Sequence, residues 1–335
     1  MTQPSQFCLQ IIIPKSPSGH TCGLDDHSSA LAEQLQLRGW DVVIAGLESM
    51  PADCQRPLLL QYTPYAYSRL GLPLALLCRL MLCRLRISFR FRRPRPSILT
   101  FFHELPFLNR AGWKGRLVLP LQALFCILVA GLSTEVLVNQ TSAMSWLGLL
   151  RPFSPPLFLP SWSNVGEALD PLEYQQRPLQ VVIFGSPGKR RHAHHLVAQL
   201  GGYRHLFGSD VQVLDIGELG QLPSTLAHEV TTTGPLQPDE VRQILLSSRF
   251  GWFYAEPDQV SKSGVFAAYC ALGVLPIVAF PDAPPAAAYL SPCELPIQAI
   301  SSERVQTLAN HGRAWFHQHN LSQGTDSIIT LLQPC

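Results

Sequence analysis

The sequence predicts an α/β chain made of two Rossmann-like halves. Short apolar runs alternate with amphipathic stretches along most of the 335 residues. Each half opens on an apolar strand followed by a polar, glycine-bearing loop and then a helix. A Pro-rich segment without periodicity, "RPFSPPLFLPSWSNVGEALDPLEYQQRP", starts at Arg151 and separates the halves.

The first half begins with "FCLQIIIP", a buried strand, and the loop "KSPSGHTCGLDDHS". A helix is expected over residues 28–38, with Gly39 as its stop, and "DVVIAG" is the next strand. "PLLLQYTPYAY" and "ILTFFHE" follow as strands, and "STEVLVNQ" comes after an apolar helix. Ligands of such sheets sit at the carboxyl ends of strands. That rule places the loop from Gly19 to His27, the aromatics Tyr62 to Tyr67, and His103 with Glu104 where binding residues belong.

The second half begins with "LQVVIFGSPGKRRHAHHLVAQL" and continues through "VQVLDIG", "HEVTTTG", the helix "QPDEVRQILLSSR" and the strand "FGWFYAE". A polar turn, "SKSG", then opens the helix that precedes "LPIVAF". Two helical stretches, residues 302–317 and 326–332, close the chain.

Composition narrows the class. Hydrophobic residues make up 47% and charged residues 14%, which describes a folded chain with a sizeable core. A net charge of +2 gives no reason to expect a nucleic-acid partner. Nine cysteines without a CxxC pair favour reduced thiols and a cytoplasmic location, and no signal peptide is visible. Residues 117–132 are almost wholly apolar but fall short of the roughly 20 residues a bilayer crossing needs, so a buried or interfacial helix is expected there.

Two loops carry the chemistry. In "DQVSKSGVFAAYCALG", Ser261 and Ser263 suit a helix N-cap and Gly264 permits close backbone approach. Unpaired N–H groups and the helix dipole make that start an anion site, and Lys262 adds a full charge. In "FGSPGKRRH", Gly185 turns the chain and Lys189, Arg190 and Arg191 follow at the mouth of the same sheet. Two basic, glycine-bearing loops at one sheet edge suit a diphosphate, which needs cations and backbone donors.

With these motifs in order, the chain resembles GT-B glycosyltransferases, in particular a bacterial branch similar to glycosyltransferase family four. The resemblance spans nearly the whole length. It rests on "SGHTCGLDDHSSALAEQLQLRGWDV", "LLLQYTPYAYSRLGLP", "TFFHELP" and "LPSWSNV", then on "VVIFGSPGKRR" and the run from "TGPLQPDEV" to "LPIVAF". It implies two Rossmann-like domains facing each other across a cleft. Residues 1–162 would bind the acceptor, 163–178 would form a linker, and 179–315 would bind a nucleotide sugar. Residues 316–335 would be a C-terminal helix able to pack back on the first domain.

The resemblance also assigns residues. Lys189 matches the lysine that faces the donor phosphates, and Ser261, Lys262, Ser263 and Gly264 match the loop beneath them. Gly185 and Arg190 join this donor set. His103 matches the first-domain histidine near the reacting carbon, and Gly19 and Gly23 match the loop that lets the donor approach. Asp26, Tyr65 and Glu104 are acceptor candidates, although acids at a helix start such as Asp25 and Asp26 also simply suit the dipole. The implied reaction is sugar transfer with retained configuration to a saccharide or lipid-linked acceptor. No cofactor or metal is implied, because cations and amides stabilise the leaving diphosphate. One departure stands out: most members carry two glutamates eight apart, where this chain has Val260 and Ala268.

Other features carry weaker readings. "HAHH" at His192 to His195 lacks the nearby ligands of a metal site. No acidic residue lies between Asp53 and Glu104, an interval with nine arginines. If residues 72–90 are helical, Arg79, Arg86 and Arg90 fall within about 40° of one stripe. That region, Arg79 to Arg95, is expected to rest on an anionic membrane surface, at the inner face of the plasma membrane. The alternatives are a non-catalytic GT-B relative that binds a sugar nucleotide or a partner, supported by the missing glutamates, and a Rossmann oxidoreductase, opposed by the missing GxGxxG.

Overall fold

A run such as "CLQIII" cannot leave its apolar side chains in water, and its β-branched residues favour extended backbone. In the computed structural model it forms β1 (Cys8–Ile13), the first of eleven strands among the described residues. Residues 7–14, 23–50, 56–88, 96–105, 117–168, 171–218, 222–281, 283–284 and 286–332 are described. The chain divides into two compact units: Met1–Pro160 with Leu321–Cys335, and Ser161–Asn320.

Unit 1 continues through α1 (Gly23–Leu37), β2 (Asp41–Gly46), β3 (Leu58–Tyr62), the short α2 (Pro64–Tyr67) and α3 (Leu74–Ser88). It proceeds through β4 (Ile98–Phe102), α4 (Leu119–Leu132), β5 (Glu135–Val138), α5 (Thr141–Leu150) and the two-residue β6 (Leu157–Phe158). The six strands lie parallel in the order β2-β1-β3-β4-β5-β6. Strand alternation sends Leu58, Leu60 and Tyr62 to one face, where they pack with α3, α4 and α5. On the other face His27 of α1 meets Phe101 of β4 edge-on. Gly39 ends α1 at φ 83°, a left-handed value that glycine adopts without steric cost. The helix starts five residues earlier than the sequence pattern predicts, so Gly23, Asp25 and Asp26 form its first turn.

Unit 2 contains β7 (Gln180–Phe184), α6 (Pro187–Gln199), α7 (Tyr203–Phe207), β8 (Gln212–Ile216) and β9 (Val230–Gly234). It continues with α8 (Pro238–Ser247), β10 (Phe250–Phe253), α9 (Gly264–Ala271), β11 (Leu275–Val278) and α10 (Ser302–His319). The five parallel strands are ordered β11-β10-β7-β8-β9. The residues of β7, β10 and β11 are buried on both faces, as the covered part of such a sheet requires, while the edge strand β9 is partly exposed. Tyr269 of α9 is wholly buried, and its hydroxyl donates to the Val182 carbonyl of β7 at 3.0 Å. That bond fixes the helix over the centre of the sheet.

The Pro-rich stretch is divided: residues 151–160 belong to unit 1, and residues 163–178, expected as a linker, to unit 2. Arg177 holds the latter there: this buried guanidinium donates to the Leu172 carbonyl at 2.7 Å and to the Ser248 carbonyl at 3.0 Å. The last helix, α11 (Leu321–Leu332), returns to unit 1, where Arg38 of α1 meets Asp326 at 3.2 Å. Cysteine chemistry also differs from the expectation of reduced thiols. Cys83 is disulfide-bonded, while Cys8, Cys78, Cys126, Cys270 and Cys293 are free.

Candidate functional site

Sheet order decides where unit 2 can bind a ligand. From β7 the chain moves one way to β8 and β9, then crosses back to β10 and β11. The carboxyl ends of β7 and β10 therefore diverge into a crevice, the topological switch point. A small concavity opens there, lined by Ile183, Phe184, Gly185, Lys189, Arg190, Phe253, Tyr254, Ser263 and Val265.

Local sequence builds each wall. Gly185 follows β7 at φ 118°, and a Cβ there would stand 3.2 Å from Val265 Cγ2. Only glycine lets the two loops approach this closely. Pro187 then starts α6, which carries Lys189 in its first turn. Across the crevice a 3-10 turn, Pro257–Lys262, leads into α9, and Ser263 is the cap: its Oγ accepts from Phe266 N at 3.2 Å. The N–H groups of Gly264 and Val265 lie in the first turn without intrahelical partners. A full cation, a helix start and an apolar floor from Phe184 and Phe253 therefore share one concavity. Such a set can neutralise and hydrogen-bond a phosphate group while packing against an apolar moiety.

The other sequence-predicted donor residues separate here. Lys262 ends the 3-10 turn, half-buried, outside the lining set. Ser261 accepts Ser161 N–H at its carbonyl, 2.9 Å away. Gly264 has ordinary contact distances to Asn164 and the Trp162 carbonyl, so a Cβ would fit. Arg190 borders the concavity as well. Its guanidinium turns inward, with Nη1 donating to Asp215 Oδ1 at 2.7 Å, Nη2 to the Glu218 carbonyl at 2.6 Å and Nε to the Gly185 carbonyl at 3.2 Å. Every nitrogen is engaged, so Arg190 also braces the loop. His194 joins this network, 3.3 Å from Asp215 Oδ2 and 3.0 Å from Tyr203 Oη. His192 stacks on Tyr254 at 4.9 Å, beside the concavity.

In unit 1 the candidates gather at strand ends. His103 follows β4, buried, with Nε2 2.6 Å from Gln61 Oε1 and Nδ1 3.1 Å from Asn139 Nδ2. With those partners Nε2 carries the proton and donates, while Nδ1 accepts. Phe101 stacks on the ring at 4.3 Å and His27 meets it edge-on at 5.1 Å. Burial, reinforced by His103, holds the His27 imidazole well below its ordinary pKa. Both His103 nitrogens are therefore hydrogen-bonded to protein groups. Asp26 is exposed in the first turn of α1, its pKa raised by partial burial and by Asp25. Tyr65 is 45% exposed, and its hydroxyl accepts from Gln122 Nε2 at 3.2 Å. Glu104 is half-buried beyond β4, Gly23 opens α1, and Gly19 lies outside the described residues.

Sequence reasoning missed Asp215, Gln61, Asn139 and Tyr254. A signal existed for two: Gln61 interrupts the apolar run "LLLQY" and Asp215 interrupts "VQVLDIG". A polar side chain inside a buried strand needs a buried partner.

No protein-family model matches the chain, and no curated protein sequence matches it. Solved structures do. An α-glucosyltransferase in complex with UDP and a DNA 13-mer containing an HMU base aligns with a TM-score of 0.56 at 8% identity, covering 97% of this chain and 99% of that one. WaaG, a glycosyltransferase involved in lipopolysaccharide biosynthesis, aligns at 0.56 with 11% identity over 98% and 100%. MnaA of S. aureus, solved with UDP, aligns at 0.50 with 10% identity over 97% and 95%. These likenesses show the GT-B fold.

Proposed function

We propose that this GT-B chain is a glycosyltransferase that moves a sugar from a nucleotide-sugar donor to a saccharide or lipid-linked acceptor. The carrying observation is the switch-point concavity of unit 2, where Lys189 and the capped start of α9 meet over an apolar floor. Two of the similar structures hold UDP, the leaving group such a site would release. Gly185, Lys189, Ser263 and Gly264 receive the diphosphate, and Lys262 adds positive potential beside it. Transfer retains configuration and uses no metal, with charge on the departing diphosphate met by Lys189 and backbone N–H groups. His103, fixed by Gln61 and Asn139, orders the unit 1 strand ends where Asp26, Tyr65 and Glu104 meet the acceptor. The pathway is bacterial polysaccharide or glycolipid assembly at the inner face of the plasma membrane. No helix among the described residues is long and apolar enough to cross a membrane.

The test is turnover of a nucleotide-sugar panel by Lys189→Ala and Lys262→Ala. Lys189→Ala is expected to lose about a hundredfold in kcat/KM, by analogy with removal of one charge-stabilising donor. Undiminished turnover in both variants would defeat the site. A second reading, donor binding without catalysis, draws on Val260 and Ala268, which are 6% and 0% exposed and place no carboxylate beside the donor loop. Thermal stabilisation by a nucleotide sugar with neither transfer nor hydrolysis would favour it.

A further inference from the structure

Unit 1 and unit 2 differ sharply in what they leave in contact with water. Twenty-one large hydrophobic side chains among the described residues are exposed, and fifteen of them lie between Leu70 and Leu157. Unit 2 contributes only Leu172. Fourteen of these belong to α3, α4, α5 and the loops beside them, and Leu157 to β6. Those three helices cover the same face of the unit 1 sheet, side by side.

Each helix shows an apolar stripe outward as well as inward. On α3 it runs through Leu74, Met81, Leu82 and Leu85. On α4 it runs through Leu121, Leu124, Ile127 and Leu128, with no charged residue anywhere from Leu117 to Leu132. Near α5 it reaches Leu149 at 82% exposure and Phe153 at 100%. The inward stripes are already spent: Leu76, Leu80, Cys126, Val129 and Leu147 sit in the core. Gln122, the polar residue of α4, is also turned in, donating to the Leu70 carbonyl at 2.8 Å. A patch of this extent on a folded unit marks a contact surface.

Charge identifies the occupant. Between Cys54 and Gly166 the sequence has thirteen lysines and arginines against two carboxylates, Glu104 and Glu135. The rest of the chain reverses the balance, twelve against twenty-one. An apolar face set in a strongly cationic unit complements an anionic bilayer, whose headgroups would meet the cations while the acyl region receives the leucines. Of the arginine region expected from the sequence, Arg90, Arg92, Arg93 and Arg95 lie outside the described residues. Arg79 faces inward and donates to the carbonyls of Leu47 at 2.6 Å and Glu48 at 2.9 Å. Helix α4 does not span: 14 residues reach about 21 Å, short of a hydrocarbon core of about 30 Å.

We infer that the outer faces of α3, α4 and α5 form a monotopic insertion surface that seats unit 1 in an anionic lipid bilayer. The surface is built from unit 1 residues and the donor concavity from unit 2 residues, so vesicle binding and sugar transfer can fail separately. The experiment is co-sedimentation of the full chain with vesicles of equal parts phosphatidylglycerol and phosphatidylcholine, against phosphatidylcholine alone. The chain is expected in the anionic vesicle pellet, and to remain there in high salt, where purely electrostatic attachment is screened. Leu121→Gln/Leu124→Gln/Leu128→Gln, all at exposed positions, is expected to bind at least about tenfold more weakly while keeping its thermal unfolding midpoint. Phe153→Asp serves as a second variant with no role in the core. Three results overturn the inference: a wild-type chain left in the supernatant, variants that bind as well as wild type, or a vesicle-independent dimer dispersed by the triple substitution.

Discussion

Arg190 and Asp215 form a sealed ion pair, with 2.7 Å between Nη1 and Oδ1 and neither side chain more than 3% exposed. Burial alone would raise the Asp215 pKa, but His194 and Arg190 beside it outweigh that effect and hold the carboxyl below its usual value. The pair ties the first turns of α6, which carry Lys189, to β8. It is a brace for the candidate site.

Breaking that brace leaves a buried charge without its partner. Arg190→Ala is therefore expected to cost about 3–5 kcal/mol of folding stability. The pH dependence follows from the depressed Asp215 pKa. Its stabilising contribution is complete above the unfolded value of 3.8 and drains away as pH falls through the lower folded value. Urea unfolding of wild type and Arg190→Ala between neutral and acid pH measures both. A variant as stable as wild type would show the pair to be energetically idle.

His27 gives the opposite end of the chain a milder acid sensitivity. Its folded pKa lies well below 6.5 because it is buried beside His103. The unfolded chain thus takes up the proton first, and stability falls as pH drops below about 6.5, by up to about 1.4 kcal/mol per pH unit. His27→Phe, which keeps an aromatic ring beside Phe101, is expected to flatten that slope in the range above about pH 5. Thermal unfolding midpoints across that range decide it; parallel slopes would place the sensitivity elsewhere.

The alternation of strands and helices was legible because burial on both sheet faces forces continuous apolar runs such as "QVVIF", and crossover helices keep their period. The glycine turn at Gly185 and the cap at Ser263 were legible for the same local reason: backbone geometry restricts the residue type. Orientation was not. Arg190 and Lys189 are chain neighbours with the same charge and both border the concavity, yet a carboxylate 25 residues away claims the Arg190 guanidinium. Arg79 was likewise drawn inward by carbonyls that no helical wheel reveals. The starting point of α1 was obscured because Asp25 and Asp26 read as loop residues, whereas acids also suit a helix start.

Gly251 in β10 tests how tightly the sheet centre is built. A Cβ there would fall 2.5 Å from the Tyr269 ring, which is buried and pinned to the Val182 carbonyl. The ring cannot yield without losing that bond, so Gly251→Ala is expected to destabilise by about 3 kcal/mol. Gly188→Ala in α6, with nothing within 4 Å of the added Cβ, is expected to stabilise by up to about 1 kcal/mol. Denaturation midpoints of the two variants should move in opposite directions; a shared direction would mean the Tyr269 contact is not what sets the cost.

Ser263 separates a structural cap from a phosphate-binding one. Its Oγ accepts from Phe266 N, so Ser263→Ala loses a cap and about 1 kcal/mol. Ser263→Asp keeps the cap, since a carboxylate accepts the same N–H and suits the helix dipole. If α9 starts at a phosphate, that carboxylate also repels the ligand in the concavity Ser263 lines. The aspartate variant should therefore retain its unfolding midpoint yet bind UDP at least about tenfold more weakly in calorimetric titration, a loss of about 1.4 kcal/mol. Equal UDP affinity in Ser263→Asp and wild type would confine Ser263 to capping and remove the helix start from the donor site.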